Sequence, residues 1–394
     1  MNREILDTKV QQYINAHLTD DVHKIAMGKS QFKDVSSREL AEQIGAKKKS
    51  AKKLPTWFNT EQIYYPPVLS IEQTSSERTA IYKSKLCKGE SLIDVTGGFG
   101  VDSFYFARAA KHVTHCEINT ELSAIAAYNA GILQQPNIRF LATDGIEFLE
   151  NTIETFDTIY IDPARRSDSK KVFMLKDCTP DVVSALPMLL NKGKRLIIKT
   201  APLLDITAGL KELQHVSEIH IVSVKNECKE LIWVIDKEHI GVVKISAVTL
   251  NEDYRSFIFD MGDEKNADEN ILEHNPEGYL YEPDVALLKS GAFNLIGKTY
   301  GLQKLDTQTQ LFVSDRKNEM FPGRIFKIHG MISTRELKKQ KQLTGNVIVR
   351  NYPDKPENLV KKYKIKPDDT RFLIFTQSKA EGLIVLDVEI VQHY

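Results

Sequence analysis

Chemistry-bearing residues recur at regular intervals in the first half of this 394-residue chain. In "IDVTGGFGVDS", Asp94 and Thr96 lead into Gly97, Gly98 and Gly100, glycines that permit a tight turn and let backbone N–H groups approach a ligand closely. Glu117 follows 19 residues after Gly98, with Ile118 beside it. A carboxylate there would accept hydrogen bonds from both hydroxyls of a ribose. Asp144 and Gly145 come next in "LATDG", with the acid placed to receive an adenine exocyclic amine. Asp94 would orient the glycine loop or meet the ammonium of a ligand. Beyond them, "FDTIYIDPARRSDSKK" runs an apolar segment straight into Asp162, Pro163, Ala164, Arg165 and Arg166. The glycines and acids together point to a ligand that contains adenosine.

The elements that must position these residues alternate strictly. "SLIDVT", "HVTHCEI", "NIRFLATD", "DTIYIDP" and "RLIIKTA" read as strands, and the stretches between them read as helices. Strands and helices in alternation imply right-handed crossovers and a parallel sheet covered on both faces. Each acid then falls at the carboxyl end of a strand, where ligands of such sheets bind. "EIHIVSVKNECKELIWVID" breaks the alternation, because two strands joined by a short polar turn leave no room for a helix and must be antiparallel. The fold class is α/β, a mostly parallel seven-strand Rossmann-like sheet with a terminal hairpin. The loop lacks the G-x-G-x-x-G spacing of a nicotinamide enzyme and the Gly-Lys-Ser/Thr of an ATPase.

With Asp94, Gly98, Gly100, Glu117 and the hairpin, residues 70 to 236 resemble the class I S-adenosylmethionine-dependent methyltransferases. The resemblance implies that methyl donor as cofactor and places the residues after the fourth strand between donor and acceptor. In relatives that methylate exocyclic amines, Asp-Pro-Pro-Tyr or Asn-Pro-Pro-Tyr stands there. This chain keeps Asp162 and Pro163 but has Ala164 and Arg165 where proline and the aromatic would be. Asp162 would accept a hydrogen bond or a proton from the attacking amine, and Arg165 and Arg166 would hold phosphate or base through their planar forks. Methylation of a ring carbon would need a thiolate near the fourth or fifth strand. None stands at either turn, and Cys178 lies 16 residues past Asp162, so an amine nitrogen is favoured over ring carbon as the target. Lys199 and Thr200 end the fifth strand, with either a structural role or one near the acceptor.

The order of the whole chain, with "EQTSSERTAIYK" before the glycine loop and "YEPDVALLKSGAFNLIGKTYG" late in the tail, is similar to a bacterial family of predicted methyltransferases carrying a THUMP-like C-terminal domain. There the segment before the loop folds over the donor, which implies that Gln73 to Ser76 lie near its methionine end. THUMP domains bind RNA, so the resemblance implies a ribosomal or transfer RNA substrate. Residues 315 to 394 hold 16 Lys and Arg against 10 Asp and Glu, a local positive balance in a chain of net charge zero. Two other classes remain open: a methyltransferase acting on a protein or small anionic metabolite, and a non-catalytic RNA-binding protein that keeps the donor pocket.

The expected domains are a helical N-terminal region over 1–65, the methyltransferase domain over 66–236, a connecting α+β segment over 237–320 and a THUMP-like α+β domain over 321–394. Thr74 and Glu77 match a capping box for a helix from Ser75 to Leu86. Five lysines between Lys47 and Lys53 beside Trp57 and Phe58 form a solvated face or a phosphate-contacting patch. "GVVKISAVTL" and "YRSFIFD" suggest a further hairpin, 260–278 an acidic mobile loop, and 283–301 one amphipathic helix. Four cysteines without C-x-x-C spacing argue against zinc and against disulfides, and the N-terminus lacks a signal-peptide core. No segment approaches the ~18 apolar residues of a membrane span. The expectation is a cytoplasmic protein with no metal and no membrane partner.

Overall fold

The computed structural model of the chain describes residues 1–165, 174–332, 334–337 and 343–394. They form two compact units, Met1–Ser217 with Ile232–Gly241, and Glu218–Leu231 with Val242–Tyr394.

The first unit opens with helices α1 (Thr8–Ala16), α2 (Val22–Met27), α3 (Ser37–Lys53), α4 (Pro55–Asn59), α5 (Val68–Gln73) and α6 (Glu77–Ser84). Helix α3 starts on a reciprocal capping box between Ser36 and Glu39. The alternation follows as β1 (Ser91–Asp94), α7 (Val101–Phe106), β2 (His112–Cys116), α8 (Thr120–Ile132), β3 (Ile138–Leu141), α9 (Gly145–Asn151) and β4 (Phe156–Ile161). A ribbon of two-residue strands, β5 (Ala164–Arg165) and β6 (Cys178–Thr179), precedes α10 (Val182–Lys192), β7 (Gly193–Thr200) and α11 (Ile206–Glu212). β7 is therefore the fifth strand of the sequence reading. β3, β2, β1, β4 and β7 are parallel in that order. β8 (Val216–Val224) and β9 (Glu227–Asp236) are joined by Lys225 and Asn226, both at positive φ (51° and 57°), the geometry of a tight hairpin.

The strand count differs from expectation. β10 (Lys244–Leu250) and β11 (Tyr254–Asp260) do pair antiparallel, but β10 also runs parallel to β8, so the sheet order is β3-β2-β1-β4-β7-β9-β8-β10-β11, nine strands rather than seven. The physical reason is burial: every residue of β10 after Lys244 is buried, which a lone two-stranded hairpin cannot achieve.

The N-terminal helices share one core with the donor side of the sheet. Ile5, Ile14, Ile44 and Trp57 pack in the same cluster as Phe99, Phe104 and Tyr105. Trp57 meets Phe104 at a centroid distance of 4.9 Å and Phe99 at 6.2 Å. Phe99 is the residue between Gly98 and Gly100, so the glycine loop is anchored in the core of the N-terminal region. Glu77, buried, accepts hydrogen bonds from the Thr56 N–H, the Thr56 hydroxyl (2.9 Å) and the Tyr105 hydroxyl (2.9 Å). Those bonds explain why Thr74 does not cap α6: Glu77 is committed elsewhere, and the Ser76 hydroxyl caps the helix by accepting from Thr79 N. The lysine run lies in α3 and is largely engaged. Lys49 pairs with Glu72 at 2.8 Å, Lys53 donates to the Glu72 carbonyl at 2.6 Å, and buried Lys47 lies 5.7 Å from the Phe58 ring centroid.

In the second unit a seven-stranded sheet runs β13-β14-β12-β15-β18-β17-β16. Its strands are β12 (Tyr279–Pro283), β13 (Gln303–Asp306), β14 (Thr309–Ser314), β15 (Gly323–Ile332), β16 (Asn346–Val349), β17 (Arg371–Ser378) and β18 (Gly382–Gln392). The single helix expected over 283–301 is two, α12 (Val285–Ser290) and α13 (Phe293–Tyr300), divided at Gly291 with φ 72°. The acidic segment carries a short 3-10 helix (Asp263–Asn266), and Glu264 accepts from the N–H groups of Asn294 and Leu295 in the first turn of α13. Helices α14 (Thr334–Leu337) and α15 (Pro356–Tyr363) complete the unit.

Trp57→Ala is expected to cost about 3–5 kcal/mol, the range for emptying a buried aromatic site, and to weaken donor affinity because Phe99 loses its socket. Urea unfolding and calorimetric donor titration measure the two effects.

Candidate active site

Asp94 closes β1 with 1% of its surface exposed. Its carboxylate accepts from the Ser103 hydroxyl (2.7 Å) and from Thr96 N (3.1 Å), fixing the start of α7 and the glycine loop at once. Both donors are neutral. Burial pushes this carboxyl up to about 7, and the charges of Asp102 and Asp162 push the same way. Thr96 passes the constraint on: its hydroxyl accepts Asp162 N at 2.7 Å, joining the end of β1 to the end of β4.

The glycine loop is held from below and open above. A side chain on Gly97 would come within 2.3 Å of the His115 ring. Gly98, at φ 55°, has only the Thr96 carbonyl at 3.9 Å in that direction. Gly98 N donates to Glu117 at 2.9 Å, and the other Glu117 oxygen accepts from Asn119 N at 2.8 Å. Gly100, at φ 83°, opens α7. His115 is fully buried; burial lowers it to about 4, so the ring is neutral, and its Nε2 lies 3.3 Å from the Gly98 carbonyl. Asp144 caps α9 by accepting from Ile146 N and Glu147 N, and Gly145 permits close approach to Val95.

These residues surround a cavity of about 510 Å³. Gln73, Thr96, Gly97, Gly98, Glu117, Ile118, Asp144, Gly145 and Asp162 all line it. Asp94, Gly100 and Ser76 do not: Asp94 and Gly100 shape the loop, and Ser76 is the helix cap. Pro163 is buried beside Asp162, and the backbone of Arg165 pairs with Cys178 in the β5–β6 ribbon. Arg166 and the side chain of Arg165 lie outside the described residues. Thr200 accepts from the Trp233 indole at 3.0 Å, a structural role.

Sequence reasoning missed Asp102, Lys83 and His115, and it named Ser75 and Lys199 without their partners. Ser75 and Asp102 line the cavity, with Asp102 accepting from Ser75 (2.7 Å) and Tyr160 (3.0 Å). Lys83, with no exposed side-chain surface, lies 3.0 Å from Asp102 and 2.6 Å from the Ser75 hydroxyl. Lys199 pairs with Asp162 at 2.7 Å. His115 supports the loop. Only the position of His115 in an apolar strand gave a signal, since the other partners meet through tertiary packing.

The donor set fits one class of ligand. Asp102, Glu117, Asp144 and Asp162 line the cavity, and among the described residues no Lys or Arg does. Four carboxylates disfavour a polyphosphate and suit a cationic sulfonium. Ile118, 72% exposed, offers an apolar wall to an adenine ring. Fold and site define a class I S-adenosylmethionine-dependent methyltransferase.

Comparison with known proteins agrees. Residues 323–387 match a family described as THUMP domain-like, and residues 279–322 match a ferredoxin-like domain. The chain is 29% identical to a candidate methyltransferase from Porphyromonas gingivalis W83 of known crystal structure, covering 99% of both chains with a TM-score of 0.87. It is 21% identical over 323 residues to an uncharacterized S-adenosylmethionine-dependent methyltransferase of Mycobacterium tuberculosis, covering 80% of this chain and 85% of that one. An uncharacterized RNA methyltransferase of Mycoplasma mobile is 27% identical over 179 residues, 41% of this chain and 49% of that one. These similarities support an S-adenosylmethionine-dependent methyltransferase with a THUMP-like C-terminal domain. Among the described residues no His, Cys, Asp and Glu cluster could hold a metal, and no helix is long and apolar enough to cross a membrane.

Two outcomes follow from the buried groups. Gly97→Ala should abolish measurable donor binding in calorimetry, because its Cβ and the His115 ring cannot coexist. Asp94 has its folded-state pKa raised from the ordinary 3.8 to about 7, so the unfolded chain ionises first and the native state loses stability as pH rises from about 4 to 7. Asp94→Asn should remove that decline, read as a flatter dependence of the urea midpoint on pH.

Proposed function

We propose that the protein methylates a base of ribosomal or transfer RNA, at nitrogen rather than ring carbon. The observation that carries the RNA reading is in the THUMP-like domain: Lys355, Lys361, Lys362, Lys364 and Lys366, on and around α15, are all exposed. Such a cluster suits a phosphate backbone. The name of the Mycoplasma mobile relative supports the same substrate class.

Nitrogen is favoured by the cysteines. Cys116 lines the cavity, but burial pushes its thiol up to about 12, far from the thiolate that ring-carbon methylation needs. Cys178 is buried and donates to the Met174 carbonyl at 3.9 Å. The bound donor supplies a methyl group already activated by its sulfonium. The chain's own task is alignment and exclusion of water. Asp162 lines the cavity, its backbone fixed by Thr96 and one carboxylate oxygen by Lys199, and its second oxygen would serve the acceptor nitrogen. Arg165 and Arg166 would hold phosphate or base, and Gln73 with Ser75 would cover the methionine end.

Asp162→Ala should reduce methyl transfer to bulk RNA by about 10²- to 10⁴-fold, the range for a group handling the reacting proton, even when the donor is saturating. Full transfer by this variant would sink the assignment. Changing Lys355, Lys361 and Lys362 together to Gln should weaken RNA retention in filter binding and reduce the slope of log affinity against log salt by about 2, near 0.7 per lost contact to single strands. An unchanged slope would point to a protein or metabolite acceptor.

A further inference from the structure

We infer that the acceptor is the lactam edge of a nucleobase, the ring N–H and adjoining C=O that guanine and uracil share, and that Lys199 selects it. The inference rests on the reading of the protein as an RNA base methyltransferase. Asp162 follows β4 and lines the donor cavity; Lys199 stands one residue from the end of β7, the neighbouring parallel strand, and does not line that cavity. Its ammonium lies 2.7 Å from Asp162 Oδ2, with 18% of the lysine side chain and 27% of the aspartate side chain exposed. The pair reaches from the donor toward the β7 side. It presents an incoming base with a hydrogen-bond acceptor and a cationic donor side by side.

An exocyclic amine and a lactam make different demands on such a pair. An exocyclic amine attacks without first losing a proton and turns positive as the methyl arrives, so an ammonium beside it opposes the reaction. A lactam nitrogen has its lone pair delocalised into the carbonyl and becomes a strong nucleophile only after losing its proton. The negative charge then rests largely on the carbonyl oxygen. Asp162 takes the proton and Lys199 faces that oxygen. The ammonium balances the carboxylate before proton transfer and the amidate oxygen after it, so the net charge of a site sheltered from water stays constant and little reorganisation is needed. The ring nitrogen then bonds to the methyl carbon as the donor's carbon–sulfur bond breaks. The electron pair of that bond stays on sulfur, and the proton remains on Asp162 until it leaves to solvent. The departure from Pro-Tyr to Ala164-Arg165 after Asp162 agrees, since that Pro-Tyr pair accompanies amine acceptors.

The test uses the full-length protein, tritiated donor and total RNA from cells lacking the gene, followed by digestion to nucleosides and mass spectrometry. The expected product is 1-methylguanosine or 3-methyluridine, and its identity tells which base is taken. N6-methyladenosine, N4-methylcytidine or a ring-carbon methyl overturns the inference and leaves the RNA reading standing. Donor binding in calorimetry with no methylated nucleoside from any RNA overturns both. Lys199→Met should lower kcat/KM about 100-fold near pH 7 and recover toward about pH 9, where the lactam ionises unaided. Its donor Kd should be unchanged, and Lys199→Arg should retain most activity. A loss with the wild-type pH profile would make Lys199 merely structural.

Discussion

A fully buried carboxylate with no cation among its hydrogen-bond partners is the constraint on which the site depends. Asp94 is tolerated because Thr96 N and the Ser103 hydroxyl satisfy it, and burying an unsatisfied carboxylate would be far costlier. That one group sets where the glycine loop leaves β1 and where α7 begins. Thr96 then carries the position across to Asp162. Donor side and acceptor side are thus registered to each other through two side chains, and in-line transfer requires that registration.

Charge divides the cavity by function. Glu117 and Asp144 are bonded to backbone N–H groups. Asp102 and Asp162 each have a lysine, Lys83 and Lys199 respectively. A site built this way favours a ligand carrying positive charge on sulfur and no phosphate.

Much of this was legible in the sequence because the signals are local. Glycines, and acids at strand ends, announce themselves by spacing, and the strands β1, β2, β3, β4 and β7 follow from apolar runs bounded by polar turns. What escaped depends on partners far apart in the chain. Lys83 meets Asp102 across 19 residues and Lys199 meets Asp162 across 37, distances at which no pattern rule reaches. Thr74 with Glu77 satisfied a local capping rule, yet Thr56 and Tyr105 claimed the glutamate first. The nine-strand sheet escaped for the same reason: β10 reads as one arm of a hairpin until its second neighbour, β8, is known.

The seating of Phe99 against Trp57 bears on the order in which the chain is made. Residues 1 to 65, carrying Ile5, Ile14, Ile44 and Trp57, are made before the last members of their core, Phe99, Val101, Phe104, Tyr105 and Ile125, which follow tens of residues later. At about 5–20 residues per second this opening segment spends several seconds with an uncovered apolar face. The core of the N-terminal helices thus stays incomplete until the glycine loop and the residues after it have been made.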